Sequence, residues 1–364
     1  MMVKKGRSFS VEGRPFFCAN LKKRLVVLKE DKKMRRGEFQ IIDRFFTYDG
    51  FGEWRSQGIG DDCALIDTGA GRIAVTTDMM AIGTHFLPNA NPEDVGYKAL
   101  AVNLSDLAAA GASPRAFFLS IGLPERDDAW LAAFSKGLMT LAQASGCALL
   151  GGDTTRTAAV GDGRAPVTIS ITAMGALPDG KGLGRAGAQP GDDIWVSGTL
   201  GDAYAALKHR WGHWQLMPDA AQRVFERMDR PTPRNALGTA LLDLASACAD
   251  VSDGLKADLG HILERSNVGA EVLWDAVPIS PALRALSASA QQEAALMGGD
   301  DYELVFTAPE ALAHRIEQVG LLTQTRLTRI GKIREKVSGD NLTVRAQNGV
   351  IIVTPTNGFD HFAV

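Results

Sequence analysis

Five times in this chain a short apolar run stops on an aspartate beside glycine, serine or threonine: GIGDDCALI, AVTTDMM, AVNLSDLAA, ALLGGDTT and CADVSDGL, with GGDDYELVF as a sixth variant. The residues are Asp61, Asp62, Asp78, Asp106, Asp153, Asp250 and Asp253, then Asp300 and Asp301, and the segments nearest them carry few Lys or Arg. Carboxylates gathered in a partly dry cleft raise each other's pKa, so an ionised cluster persists only with compensating cations. An all-oxygen ligand set without nearby Cys or paired His favours hard ions, Mg²⁺ above all, and carboxylate-held Mg²⁺ keeps positions open for phosphate oxygens. The pattern therefore predicts a nucleotide-phosphate site. A single Asp after an apolar run is ordinarily a turn or cap residue, but turn chemistry accepts Asn, Ser or Gly as readily, and five repeats of Asp need another reason. Asp106 is the hardest to dismiss: flanked by Leu104 and Leu107 in an Ala-rich helical pattern, it needs a partner or metal to offset its desolvation.

A chain of 364 residues accommodates two domains of ordinary size, and its 45% hydrophobic and 22% charged content is that of a globular protein. The net charge of −3 is unevenly spread: the first 36 residues hold 12 Lys/Arg against 3 Asp/Glu, and the remainder 27 against 39. An acidic body argues against a nucleic-acid partner. No apolar stretch approaches the roughly 18 residues that span a bilayer. Cys18, Cys63, Cys147 and Cys248 are scattered without a CxxC pair, which points to a reducing cytoplasm. Residues 1–36 read as a basic, disordered leader without an h-region, produced by a start codon upstream of Met34.

GEFQIIDRFF reads as a short helix. CALID and RIAVTTD follow as strands, Asn91–Gly111 as a helix opened by Asn-Pro, RAFFLSIGL as a strand, DAWLAAFSKGLMTLAQAS as an amphipathic helix, and CALLGGD and VTISITAMGAL as strands. PDGKGLGRAGAQPGDD is the predicted boundary, giving units of 37–178 and 179–364. Beyond it IWVSG, AEVLWD, YELVFTA and TRIGKI read as strands, and DAYAALKHR, NALGTALLDLASA and ADLGHILERS as helices. The interleaving predicts an α+β fold of mixed α/β type in two lobes, with aspartates at strand ends facing a crevice.

GALPDGKG, Gly175 to Gly182, matches GxxxxGK but ends in Gly where a P-loop needs Ser or Thr, and reads as a linker. GIG, Gly58 to Gly60, lacks the third glycine of a dinucleotide fingerprint, though its backbone N–H groups suit phosphate. Arg185 is either a solvated loop charge or a phosphate ligand. His85, in GTHFLP, is open as a general base, a substrate contact or a loop histidine, and no Ser/His/Asp or Cys/His nucleophile stands out. Cys63 reads as a buried strand residue.

GIGDDCALI, TTDMMAIGTHFLP, YKALAVNLSDLAAAGASP, GGDTTR, ADVSDGLKADLGHI and GGDDYELVFT, in this order and at these separations, closely resemble the thiamine-monophosphate kinase family, from about Gly37 to the C-terminus. The resemblance implies transfer of phosphate from MgATP to thiamine monophosphate, giving thiamine diphosphate and ADP, the final step of thiamine diphosphate biosynthesis. It implies a two-lobed fold shared with aminoimidazole ribonucleotide synthetase, selenophosphate synthetase and the hydrogenase-maturation dehydratase, a homodimer joined through N-terminal sheets into a barrel, and ATP in a cleft. Carried over by motif, Asp62, Thr76, Thr77, Asp78, Asp106, Asp153 and Asp250 would hold Mg²⁺ ions, and Asp253 a further one. Gly152, Asp153, Arg185 and Ser252 would contact ATP; His85, Asp300 and Phe359 would contact the thiamine moiety. Asp300 stands where the family often has Glu, which shortens the carboxylate by one methylene. No residue is assigned as a covalent or proton-carrying catalyst. Another ATP-using member of the superfamily, such as an aminoimidazole ribonucleotide synthetase, shares the fold, but THFLP and GGDDYELVF count against it. A non-catalytic nucleotide or divalent-ion sensor is the alternative of a different class.

Overall fold

The computed structural model describes residues 55–57, 60–69, 71–159, 163, 165–337, 341–354 and 358–359. The basic leader, the GEFQIIDRFF helix and the first two residues of the GIG segment, Gly58 and Ile59, lie outside the described residues.

The first part of the chain gives β1 (Arg55–Gln57), β2 (Ala64–Asp67), β3 (Arg72–Ala81), α1 (Pro92–Ala109), β4 (Ser113–Leu123), α2 (Asp128–Ser145), β5 (Ala148–Arg156) and β6 (Thr168–Ala176). The second gives β7 (Asp193–Ser197), α3 (Asp202–Arg210), α4 (Pro218–Asp229), α5 (Asn235–Ala240), β8 (Ala247–Asp250), α6 (Leu255–Ser266) and β9 (Gly269–Leu273). It closes with α7 (Pro281–Arg284), α8 (Ala288–Met297), β10 (Leu304–Ala308), α9 (Ala313–Leu322), β11 (Leu327–Arg334) and β12 (Leu342–Arg345). Each part builds one six-stranded sheet, ordered β1-β2-β3-β6-β4-β5 and β12-β9-β11-β7-β10-β8. Pairing is antiparallel throughout except at one edge of each, where β4 runs parallel to β5 and β12 to β9. The fold is therefore the expected mixed α+β in two lobes, and among the described residues neither sheet closes into a barrel within one chain.

Helix α1 joins the lobes. It starts where the Asn-Pro pair predicts: Asn91 Oδ1 accepts from the Glu93 backbone N–H at 3.1 Å and Pro92 fills the first turn. Of its 18 residues 13 are buried, so it has no solvated face and must be covered on both sides. On one side Leu100, Leu104 and Leu107 pack with Phe117, Ile169 and Ile171 of the first sheet and with α2. The helices meet closely because residue 137 is glycine: a Cβ there would stand 1.7 Å from the Glu93 carbonyl oxygen. On the other side Ala108 and Ala109 join Leu183, Trp195, Leu237, Leu241 and Phe306, a small core that reaches the second sheet. Truncating one of these buried leucines to Ala is expected to cost about 2–5 kcal/mol.

Two readings change. NALGTALLDLASA is helical only as far as Ala240; residues 241–244 form a turn, closed by the Leu244 N–H donating to Leu241 O at 2.9 Å, and only Ala247 of the segment enters β8, whose Cys248 and Asp250 pair with Phe306 and Leu304 of β10. Asp78 and Asp153 do not end their strands. Both β3 and β5 run three residues past them.

Candidate functional site

The site is assembled around α1, β3 and the loops after β8 and before β10. Asp62 precedes β2, Asp106 lies in the last turn of α1 and Asp250 ends β8. These residues are 44 and 144 apart in sequence, yet each brings a carboxylate oxygen to within 4.8 Å of the others. Each has one hydroxyl or cationic partner. Thr76 Oγ1 on β3 donates to Asp106, Ser105 Oγ on α1 donates to Asp250 at 2.6 Å, and Arg185 Nη2 donates to Asp62 at 2.5 Å. Asp78 shares the helix-side face of β3 with Thr76, and its backbone N–H donates to Asn103 Oδ1 of α1 at 3.1 Å.

The electrostatics follow from burial. Loss of hydration pushes Asp106 well above the usual carboxylate range, Asp78, Asp250 and Asp62 push it further, and Thr76 opposes them. Burial, then Asp62, raises Asp250 to about 8 against the pull of Ser105 and Arg185. Asp62 is also raised, because desolvation outweighs its ion pair with Arg185. For Arg185 burial acts downward, but Asp62 and Asp258 more than offset it and keep the guanidinium charged. Three carboxylates, Asp250 buried and Asp62 and Asp106 partly buried, that are costly to ionise alone and have hydroxyls beside them fit a hard divalent cation.

Arg185 is therefore no solvated loop charge. Its backbone N–H also donates to Asp61 Oδ1 at 2.8 Å, and its side chain is buried. Ser252 and Asp253 lie in the loop between β8 and α6. Their backbone N–H groups and that of Gly254 all donate to Asp258 Oδ2 at 3.1 Å, so Asp258 on α6 fixes the turn that carries them. This loop is stitched to the one before β10: Asp300 and Tyr302 donate to Ser252 O and Val251 O, and Val251 to Glu303 O. Asp300 and Tyr302 both sit at positive φ, 75° and 52°, with Asp301 and Glu303 buried on the opposite side. Glu303 is held by Ser197, Arg227 and Arg234, and Asp301 accepts from the Gly201 N–H at 2.6 Å. These anchors offset the strain of two left-handed non-glycine residues and turn Asp300 outward to an ion pair with Lys98 of α1.

A cleft of about 1320 Å³ opens above the carboxylates, larger than the roughly 300–1,000 Å³ that one small ligand occupies. Thr76, Thr77, Asp78, His85, Asp253, Asp300 and Phe359 line it, with Leu87, Pro88, Leu207, Trp211 and Met228 forming an apolar end. His85 has an orienting partner: the Ala81 backbone N–H donates to its Nδ1 at 3.1 Å, which leaves the proton of the neutral ring on Nε2. Phe359 is half exposed and donates its backbone N–H to Asp253 O at 3.0 Å.

Gly152 and Asp153 are not brought into this cleft. They lie on edge strand β5, where every residue is exposed. Gly152 is required to be glycine, since its φ is 150° and a Cβ would meet the Leu119 carbonyl oxygen at 1.7 Å. Asp153 is level with Ser120, Ser170 and Met79 across β4, β6 and β3, three strand spacings, or about 14 Å, from the strand that carries Asp78. Thr77 borders the cleft but turns its side chain to the face of β3 opposite Thr76, where its hydroxyl donates to Ile171 O at 3.1 Å. Lys98, Asn103, Ser105 and Asp258 were missed from the sequence, although the first three share one visible signal: buried polar residues inside an otherwise apolar helix.

No helix among the described residues is long and apolar enough to cross a membrane. Residues 60–177 match the AIR synthase related protein, N-terminal domain, and residues 189–340 match the AIR synthase related protein, C-terminal domain. The thiamine-monophosphate kinase of Salmonella typhimurium is 42% identical over 338 residues, covering 91% of this chain and 99% of that protein. The crystal structure of thiamine-monophosphate kinase from Stenotrophomonas maltophilia K279a is 44% identical, covers 80% of this chain and 91% of its own, and superposes with a TM-score of 0.70. The structure of AaThiL complexed with AMPPCP and TMP is 30% identical, covers 89% of this chain and 97% of its own, and gives a TM-score of 0.75.

Proposed function

The chain belongs to the thiamine-monophosphate kinase family, and from that premise we propose that it transfers the γ-phosphoryl group of ATP to the phosphate of thiamine monophosphate, completing thiamine diphosphate biosynthesis. The observation that carries the reading is the close group of Asp62, Asp106 and Asp250, partly to fully buried beneath a cleft with room for two ligands. Asp62, Thr76, Thr77, Asp78, Asp106, Asp153, Asp250 and Asp253 are the proposed Mg²⁺ ligands. When bound, Mg²⁺ supplies charge neutralisation and a template for phosphate oxygens. Arg185 and Ser252 contact ATP at the acidic end, Arg185 as a cation kept charged by Asp62. His85, Asp300 and Phe359 contact thiamine. Leu87, Pro88 and Met228 keep that end of the cleft apolar and limit water.

The acceptor is itself a phosphate oxygen, largely ionised near neutrality, so no side chain has to take a proton from it. One of its lone pairs forms the bond to the γ-phosphorus, the bond to the β,γ-bridging oxygen breaks, and that electron pair leaves with ADP. No phosphorylated enzyme is needed. The residues position two anions in line and lower their repulsion.

Residues 37–178 are the proposed ATP-binding, metal-binding and dimerisation domain and 179–364 the second domain, with 1–36 as a leader. Support for a homodimer comes from the first sheet, where among the described residues Met79, Phe118, Leu149 and Leu150 are exposed and β5 is an edge strand. Joining two such sheets would carry Gly152 and Asp153 of one chain toward the cleft of the other, which resolves the separation of about 14 Å. The buried free cysteines Cys63, Cys147 and Cys248 support a cytoplasmic setting.

ADP release measured side by side with thiamine monophosphate, thiamine and an aminoimidazole ribonucleotide precursor tests the reading. Release that depends on thiamine monophosphate and Mg²⁺ is expected. ADP formed on the aminoimidazole precursor would move the chain to a different reaction, and ATP binding without turnover on any of the three would make it a sensor.

A further inference from the structure

Three cationic side chains line the cleft among the described residues, and two are committed. Arg185 is held in the Asp61 and Asp62 network, and Arg210 is forked onto both oxygens of Asp229 at 2.9 and 2.5 Å. Lys98 differs. Its side chain is almost fully buried, and its ammonium carries three donors and finds among the described residues a single hydrogen-bond acceptor, Asp300 Oδ2. It stands on the stripe of α1 that faces the cleft, Asp94, Lys98, Val102 and Asp106 at i, i+4 spacing. That places it two turns, about 12 Å along the axis, from the carboxylate group and toward the apolar end.

Asp300 is a poised partner for it. The left-handed backbone at Asp300 and Tyr302, and the buried anchors Asp301 and Glu303, fix where this carboxylate points. A phosphate monoester entering between the proposed thiamine-binding residues and the aspartates of the cleft meets strong repulsion, and among the described residues the cation with unspent donors at that junction is Lys98.

We propose that Lys98 is the protein's own contact to the phosphate of the acceptor substrate, with Asp300 as the positioning residue that holds the ammonium at the junction. The assignment rests on the thiamine monophosphate reading above. Lys98 donates hydrogen bonds to the phosphate without giving up a proton, so it contributes to recognition of the phosphorylated over the unphosphorylated vitamin.

Calorimetric binding of thiamine monophosphate and of thiamine to the full chain, at fixed Mg²⁺, tests this in wild type, Lys98→Met and Lys98→Arg. Lys98→Met is expected to cut the preference for the monophosphate by about 10- to 100-fold while leaving thiamine affinity unchanged, and Lys98→Arg to restore part of it. Should Lys98→Met fail to fold, ¹⁵Nζ-lysine spectra of the wild type give the same answer: the Lys98 signal, assigned from Lys98→Arg, moves with the monophosphate and not with thiamine. A wild type that does not prefer the monophosphate overturns the substrate reading and this proposal together. A wild-type preference that Lys98→Met retains, or an unmoved Lys98 signal, overturns the role of Lys98 alone.

Discussion

Asp106 and Asp153 follow similar stretches of sequence, an apolar run and then Asp beside small residues, but the fold treats them oppositely. Asp106 is enclosed: Thr76 donates to its carboxylate, Asp62 and Asp250 stand beside it, and burial pushes its pKa well up. Asp153 is exposed on an edge strand. The first region is a site that one chain completes by folding, and it stores electrostatic repulsion that a cation relieves. The second carries the same ligand chemistry away from the cleft, and on the proposed reading a second chain supplies what it serves. A ligand motif thus gives the chemistry, while burial decides whether it acts within its own chain.

The largest effect expected is at the enclosed end. Asp106→Asn removes the charge and keeps the shape, so turnover should fall by about 1,000-fold or more. The variant's melting temperature without Mg²⁺ should match or exceed that of wild type, because a like-charge contact is gone, and the stabilisation by added Mg²⁺ should shrink. Wild-type turnover in this variant would break the metal reading. At the exposed end, Asp153→Asn should cost about 100-fold in turnover with stability changed by less than about 0.5 kcal/mol, as for a surface residue. An inert substitution there would reduce β5 to a simple edge.

A smaller effect separates the two ends of the cleft. His85→Ala should raise KM for thiamine monophosphate about tenfold with little change in kcat, since it removes a contact made equally in ground and transition states. A fall in kcat without change in KM would give His85 a different role.

The smallest effect is a pH dependence of stability. The folded-state pKa of Asp250 is about 8, above its unfolded value, so the folded protein holds a proton that the unfolded chain has lost. Its contribution is full below about pH 4 and lost as pH rises to about 8; Asp106 and Asp62 shift in the same direction. His261 has the opposite sense, with its pKa lowered by burial, then Arg185, to about 4, so its effect lies below about pH 6.5. Between pH 6.5 and 8 the metal-free melting temperature should therefore fall by a few degrees, while the shift produced by Mg²⁺ grows. A metal-free protein that becomes more stable across that window would contradict the enclosed cluster.

Much of this was legible in the sequence where signals are local. The Asn-Pro cap and the run from Asp128 to Ser145 gave both long helices, and an aspartate in an apolar helix marked Asp106. Long-range partners were not legible. Arg185 reaches Asp62 across 123 residues, so the cluster looked poorer in cations than it is. Asp78 and Asp153 looked like strand ends because a carboxylate in a strand resembles a stop. In the sheet, β3 alternates faces: Thr76 is buried on the helix side, Thr77 and Met79 are exposed on the other, and the ladder with β6 continues to Ala81. Helix α4 was passed over because its few buried residues, Ala221, Val224 and Met228, are spread through a polar segment.

Mixing two inactive proteins tests the contrast between the enclosed and exposed aspartates most directly. Asp106→Asn and Asp153→Asn chains, co-refolded or co-expressed at equal amounts, form mixed dimers in which one cleft carries both substitutions and the other carries neither, if Asp153 serves its partner. Half of randomly paired dimers are mixed and half of their clefts intact, so activity should return to about a quarter of wild type. No recovery, with mixed dimers shown to be present, would mean that each chain uses its own Asp153, and the division of the site between two chains would fall.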